Sequence, residues 1–117
     1  MAVQQPDCIF CRIARGEVPA QIVYEEDRAV AFRDLNPQAP THVLVIPRRH
    51  VPSLHEGGGD PAMLGELLVA ARTIAEQEGL AAGGYRVVIN NGPDAGQSVD
   101  HLHVHLLGGR QFGWPPG

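Results

Sequence analysis

The chain carries no basic run longer than Arg48-Arg49, and its formal charge is −4. A protein that grips a nucleic-acid polymer normally shows a basic face, so that class of partner is disfavoured. A single nucleotide stays open, because backbone amides and a few side chains can hold one phosphate. No apolar stretch approaches the length of a membrane-crossing helix, so no membrane partner is expected. The opening residues, Met1-Ala2-Val3-Gln4-Gln5-Pro6-Asp7, have no basic region leading into an apolar one. A secretory leader is therefore not expected, and the expected location is cytoplasmic. Cysteine is scarce: Cys8 and Cys11 are the only two, too few for the disulfide framework of a small secreted domain. There is no internal repeat and no linker-like shift in composition, so residues 1–117 are expected to form a single domain.

What is present suits a globular chain, with 44% hydrophobic and 19% charged residues. Residues 8–15 (CIFCRIAR) read as a short helical turn, closed by Gly16 and the Val18-Pro19 break. Residues 21–26 and 29–34 are β-type runs around Asp27-Arg28, a hairpin signal, and 42–47 is an apolar third strand that Pro47 ends. Asp60 and Pro61 form a cap and first turn. From there to about Gly79, Met63, Leu64, Leu67, Leu68, Ala71, Ile74 and Ala75 recur at helical spacing. Residues 85–89 and 101–107 read as two more strands. Strands grouped before and after one main helix predict an α+β fold. It has a five-stranded antiparallel sheet, one long helix and a short N-terminal helix.

His101, His103 and His105 stand at i, i+2 and i+4. On a strand they share one face, with successive Cα atoms about 7 Å apart. A stripe of imidazoles forfeits packing energy, so it needs a reason. Satisfied surface histidines, a transition-metal site and a nucleophile for phosphorus all fit the residue type. Neutral imidazole attacks phosphorus near pH 7 and forms a phosphorus–nitrogen bond that water can cleave. Its neighbours can bond the phosphoryl oxygens and move a proton. Gly92-Pro93-Asp94-Ala95-Gly96-Gln97-Ser98 leads into the stripe; its small residues let backbone N–H groups approach a phosphate, and Ser98 adds a hydroxyl. That context favours the third reading. Cys8-x-x-Cys11 reads as a redox pair or as half of a zinc site, and no βαβ context supports the redox pair. His55 reads as a surface residue.

His-Leu-His-Val-His-Leu-Leu over 101–107 resembles the H-φ-H-φ-H-φ-φ motif of the histidine triad (HIT) superfamily, φ being apolar. The resemblance extends to Cys8–Arg15, Ala39-Pro40-Thr41-His42, Val45-Ile46-Pro47, Gly96-Gln97-Ser98 and Gly108-Gly109-Arg110-Gln111. With Trp114-Pro115-Pro116-Gly117 it points to the histidine triad nucleotide-binding (HINT) branch, prokaryotic type with a C-x-x-C zinc motif.

The resemblance implies a purine nucleoside phosphoramidate hydrolase, similar to an adenosine 5′-monophosphoramidase. His103 would attack the α-phosphorus, giving a nucleotidyl-histidine that water hydrolyses to the nucleoside monophosphate, with release of an amine. His105 would assist at the phosphate, His42 would support and tune His103, and Ser98 would lie near the leaving group. Asn90, Gly96 and Gln97 are expected beside the phosphate, and Asp34 on the ribose hydroxyls with Leu35 alongside. Ile9, Phe10, Ile13 and Phe32 are expected around the base. By pattern alone Asp34 would be a strand-end residue, and the four apolar residues simply core. The family's homodimer joins two sheets and brings Trp114 towards the partner's site. Structural zinc is implied on Cys8, Cys11, His50 and His101, with no metal required for catalysis. The implied ligands are AMP or GMP and their phosphoramidates. The rival functions are a dinucleoside polyphosphate hydrolase, a nucleotide-binding regulatory protein with incidental hydrolysis, and a metalloenzyme using the triad as ligands.

Overall fold

A computed structural model describes Gln5 and residues 7–117. The leader reading of the N-terminus concerns residues 1–4 and 6 in part, and these lie outside the described residues. The elements are α1 (Ile9–Ala14), β1 (Ile22–Glu25), β2 (Ala29–Arg33), β3 (Thr41–Pro47), α2 (Pro61–Gln77), β4 (Tyr85–Val88) and β5 (Val104–Gly108), with a 3-10 turn at Pro93–Ala95. One five-stranded sheet has the order β1-β2-β3-β5-β4, and every neighbouring pair is antiparallel. The expected α+β arrangement is met. Among the described residues no helix is long and apolar enough to cross a membrane.

Alternation along the strands divides the sheet into two faces. Ala29, Ala31, Val43, Val45, Val104 and Leu106 pack against the Leu67, Ala70, Ala71 and Ile74 stripe of α2. Val30, Phe32, Leu44 and Ile46 point the other way and meet Phe10 of α1. Both faces of β3 are covered, and all seven of its residues are buried. The register sets Leu44 opposite Phe32 on one side and His105 on the other, so His105 lies on the α1 face.

Each helix is fastened at an end. Asp60 Oδ1 accepts the Ala62 N–H at 3.0 Å, and Pro61 opens α2. Beyond the last turn, Arg33 of β2 donates to both carboxylate oxygens of Glu78, at 3.0 and 3.1 Å. The guanidinium holds the Glu78 carboxyl below its usual range. α1 has only six residues, too few to persist without tertiary support. Its N-cap is Cys8, whose Sγ accepts the Cys11 N–H at 3.4 Å.

The last strand corrects the expectation of a strand over 101–107. The β3–β5 ladder begins only at Val45 with Val104, and β5 runs from Val104 to Gly108. Continuing it back would bring Leu102 against Pro47, which has no N–H to give. Instead the Leu102 N–H turns to Val51 O at 2.6 Å, and Pro47 O takes the His101 imidazole. His101 therefore stands outside the ladder, beside Phe10, and does not line the cavity with His103 and His105.

Candidate active site

His103 and His105 line a cavity of about 270 Å³ on the α1 face of the sheet. Ile9, Phe10 and Ile13 of α1, with Phe32 and Leu44 of the sheet, form its apolar wall. Asp34, Leu35 and Ser98 stand around its rim, and Leu35 is 99% exposed there. Val18, Pro19, Ala20, Arg33 and Val99 also line it. Leu44 was detectable from alternation in β3, whereas the Val18-Pro19 break carried no signal beyond the end of a helix. A cavity of similar volume, about 280 Å³, lies between Arg28, Arg49, Asp60 and Met63; it holds no imidazole or thiol, so the chemistry is assigned to the histidine cavity.

Hydrogen bonding fixes where the imidazole protons sit. His103 Nδ1 lies 2.7 Å from His101 O. A carbonyl only accepts, so Nδ1 carries the proton and Nε2 keeps a lone pair. The Gln38 N–H donates to His42 Nδ1 at 3.0 Å, which puts the proton of neutral His42 on Nε2. That nitrogen is 2.9 Å from His105 Nδ1, so His105 accepts there and carries its own proton on Nε2. Burial is the main force keeping this pair neutral: it pushes His105 down to about 4, helped by neighbouring His103 and His42, and lowers His42 against the pull of Asp34. Asp34 Oδ1 accepts the Asn36 N–H at 2.8 Å, while Oδ2 lies 3.5 Å from His42 Nε2. One cavity is therefore bordered by an imidazole with a free lone pair and another with an N–H donor, the pair needed to attack a phosphoryl centre and hold its oxygens.

His42 bonds His105, which packs at 4.9 Å between ring centroids against His103. Gln97, Gly96, Asn90 and Trp114 do not line the cavity. The Gln97 amide ties down its own loop, accepting from Gly92 N–H at 2.9 Å and donating to Pro52 O at 2.9 Å and Val99 O at 3.0 Å. Gly96 closes the 3-10 turn at φ +83°, a left-handed position that suits glycine. Asn90 follows β4, half-buried, and Trp114 is 84% exposed in the tail.

Beside this cavity, Cys8, Cys11, His50 and His101 bring their ligand atoms within 4.8 Å of one another. Cys8 Sγ lies 3.4 Å from His101 Nδ1, and Cys11 Sγ lies 3.3 Å from His50 Nδ1 and 3.5 Å from His101 Nδ1. A tetrahedral ion with sulfur at ~2.3 Å and nitrogen at ~2.0 Å sets such separations at ~3.5 Å, so the donors fit a metal ion. His101 Nε2–H donates to Pro47 O at 2.8 Å, which leaves Nδ1 bare toward the thiols. Burial pushes His101 down to about 4 and so favours the neutral form a ligand needs. Asp34, His42 and His105 also cluster within 4.8 Å, but the Gln38 amide keeps a proton on His42 Nε2, the atom an ion would need. Metal chemistry therefore suits the cysteine cluster and not the histidine cavity.

The HIT domain model matches residues 15–112. An uncharacterized HIT-like protein of Synechococcus elongatus is 56% identical over 112 residues, covering 95% of this chain and 97% of the relative. The 14 kDa zinc-binding protein of Zea mays is 49% identical, covering 93% and 87%. A HIT family hydrolase from Legionella pneumophila superimposes with a TM-score of 0.92 at 48% identity, covering 95% of this chain and 100% of the other. The histidine triad nucleotide-binding protein from Candida albicans gives 0.81 at 35% identity, with 93% and 83% covered. The chain belongs to the HIT family.

Proposed function

We propose that this HIT-family hydrolase cleaves purine nucleoside phosphoramidates, releasing a nucleoside monophosphate and an amine. One observation carries the reading: His103 presents a bare Nε2, and His105 holds its proton on Nε2, in one apolar-walled cavity. His103 Nε2 attacks the α-phosphorus, and the phosphorus–nitrogen bond to the amine breaks. The amine departs with a proton from solvent, and water then cleaves the His103–phosphorus bond. His105 donates to a phosphoryl oxygen, and His42 keeps His105 in that tautomer. Asp34 holds the ribose hydroxyls with Leu35 alongside, and Ile9, Phe10, Ile13 and Phe32 sandwich the purine of AMP or GMP. Ser98 serves the leaving group, while Asn90, Gly96 and Gln97 shape the phosphate side.

The nucleotide-binding branch is supported by likeness to the Candida albicans protein of that name, and hydrolysis by the Legionella pneumophila hydrolase. Zinc is the metal proposed for Cys8, Cys11, His50 and His101, supported by the donor set and by the zinc-binding relative from Zea mays. A homodimer is proposed through β4. That strand is an edge of the sheet, with Tyr85 and Val87 more than a third exposed. Trp114 then serves the partner's site. The proposed unit is one HIT domain over residues 1–117, working in the cytoplasm.

The test is a substrate panel on one preparation. An AMP–amine conjugate is expected to turn over at least ~10-fold faster than dinucleoside polyphosphates, one decade marking ~1.4 kcal/mol of preference. His103→Ala should lose turnover by ~10³-fold or more while retaining nucleotide binding. Faster cleavage of the polyphosphates would reassign the substrate, and turnover by His103→Ala would remove the nucleophile.

A further inference from the structure

The nucleophile and the metal cluster meet at one residue. His101, fully buried, turns Nδ1 toward Cys8 and Cys11 and gives Nε2–H to Pro47 O. Its backbone carbonyl accepts the His103 Nδ1–H at 2.7 Å, the bond that decides which His103 nitrogen faces the cavity. Residues 101–103 precede the first β3–β5 pair, Val45 with Val104, so the ladder does not hold that carbonyl; the same peptide unit is tied through the Leu102 N–H to Val51 O at 2.6 Å, the residue that follows His50. The second support is α1. Cys8 and Cys11 flank Phe10, whose ring lies edge-on to His103 at 5.1 Å and to His101 at 5.9 Å.

We propose that a metal held by Cys8, Cys11, His50 and His101 positions the nucleophile. With four ligands bound, it fixes the His101 carbonyl where that group keeps the His103 proton on Nδ1 and leaves Nε2 bare toward phosphorus. His101 is a positioning residue, and the metal takes no part in making or breaking bonds to phosphorus. Metal occupancy then sets how much of the protein is competent to react. The effect on rate rests on His103 being the nucleophile; the effect on its proton does not.

The test compares the full chain loaded with zinc and the same chain stripped by chelator, at one neutral pH. Nitrogen-15 shifts of the His103 ring report the tautomer, circular dichroism reports the fold, and an AMP–amine conjugate reports turnover. The loaded chain should show the Nδ1–H form alone. The stripped, folded chain should show a mixture, with kcat lowered at least ~10-fold and KM changed less. Unchanged shifts and unchanged kcat overturn the proposal, as does a chain that takes up no zinc. If stripping unfolds the chain, His50→Ala in excess zinc offers three ligands and His50→Cys restores four. A mixed His103 tautomer in the first and a single one in the second support the proposal; identical behaviour overturns it. If the shifts respond to metal but no conjugate is cleaved, metal positioning stands and the proposed substrate fails.

Discussion

Two imidazoles on the same sheet face present opposite groups, a lone pair on His103 and an N–H on His105, because their protons sit on different nitrogens. His105 is held neutral: burial, with His103 and His42 beside it and against the pull of Asp34, brings its pKa down to about 4. The unfolded chain takes up that proton near the ordinary value of ~6.5. Between these limits the unfolded state binds more protons, so stability falls as pH is lowered from about 6.5 to about 4. Across that whole window the effect is ~3 kcal/mol, and partial exposure reduces it to roughly 1–2 kcal/mol. Melting temperatures across that window should drop for the wild type and drop less steeply for His105→Asn. Parallel curves would show that His105 is not held neutral. The histidine stripe itself was legible in the sequence, since three imidazoles at alternate positions have few other uses. Their proton positions were not, because the deciding partners are main-chain groups, one of them the Gln38 N–H, which acts on His105 through a His42 that is 63 residues from it.

At the scale of elements, the short helix contributes most to the cavity for its size. α1 supplies Ile9, Phe10 and Ile13 from six residues, and its Phe10 ring meets Phe32 at 5.4 Å. Replacing Phe10 by Leu keeps an apolar wall and removes the aromatic edge, a contact worth ~0.5–1.5 kcal/mol. AMP affinity is expected to weaken roughly two- to ten-fold by calorimetry, with the fold retained. Unaltered affinity would place the base elsewhere. The helix was foreseeable from residues 8–15, but its role as a wall came only from the family resemblance, because apolar residues in a helical turn look like any core. The late start of β5 was hidden for a different reason. Alternation continues through Leu102 and Val104, and only pairing with a proline-ended strand breaks it.

For the whole molecule, element order, strand number and helix placement followed from periodicity and turn residues. Which edge stays open did not, since strand order depends on β5 inserting between β3 and β4. β4 is left as an edge with Tyr85 and Val87 partly bare, the surface assigned above to a second copy. A charge placed there should be costly to the pair and cheap for the protomer. Val87→Glu is expected to convert a dimer to a monomer in sedimentation while leaving the melting curve of the protomer cooperative. A dimer that survives this change would put the interface on another surface.

The Gln38 amide bond to His42 has a practical consequence. A scan that swaps side chains leaves every backbone amide in place, so position 38 would look silent even while its N–H orients two histidines. Only a change to the main chain exposes it. Gln38→Pro deletes that hydrogen and frees His42 to exchange tautomers, and kcat should fall by ~10²-fold while Gln38→Ala stays near wild type. Tolerance of side-chain changes at position 38 would then say nothing of the part its main chain plays.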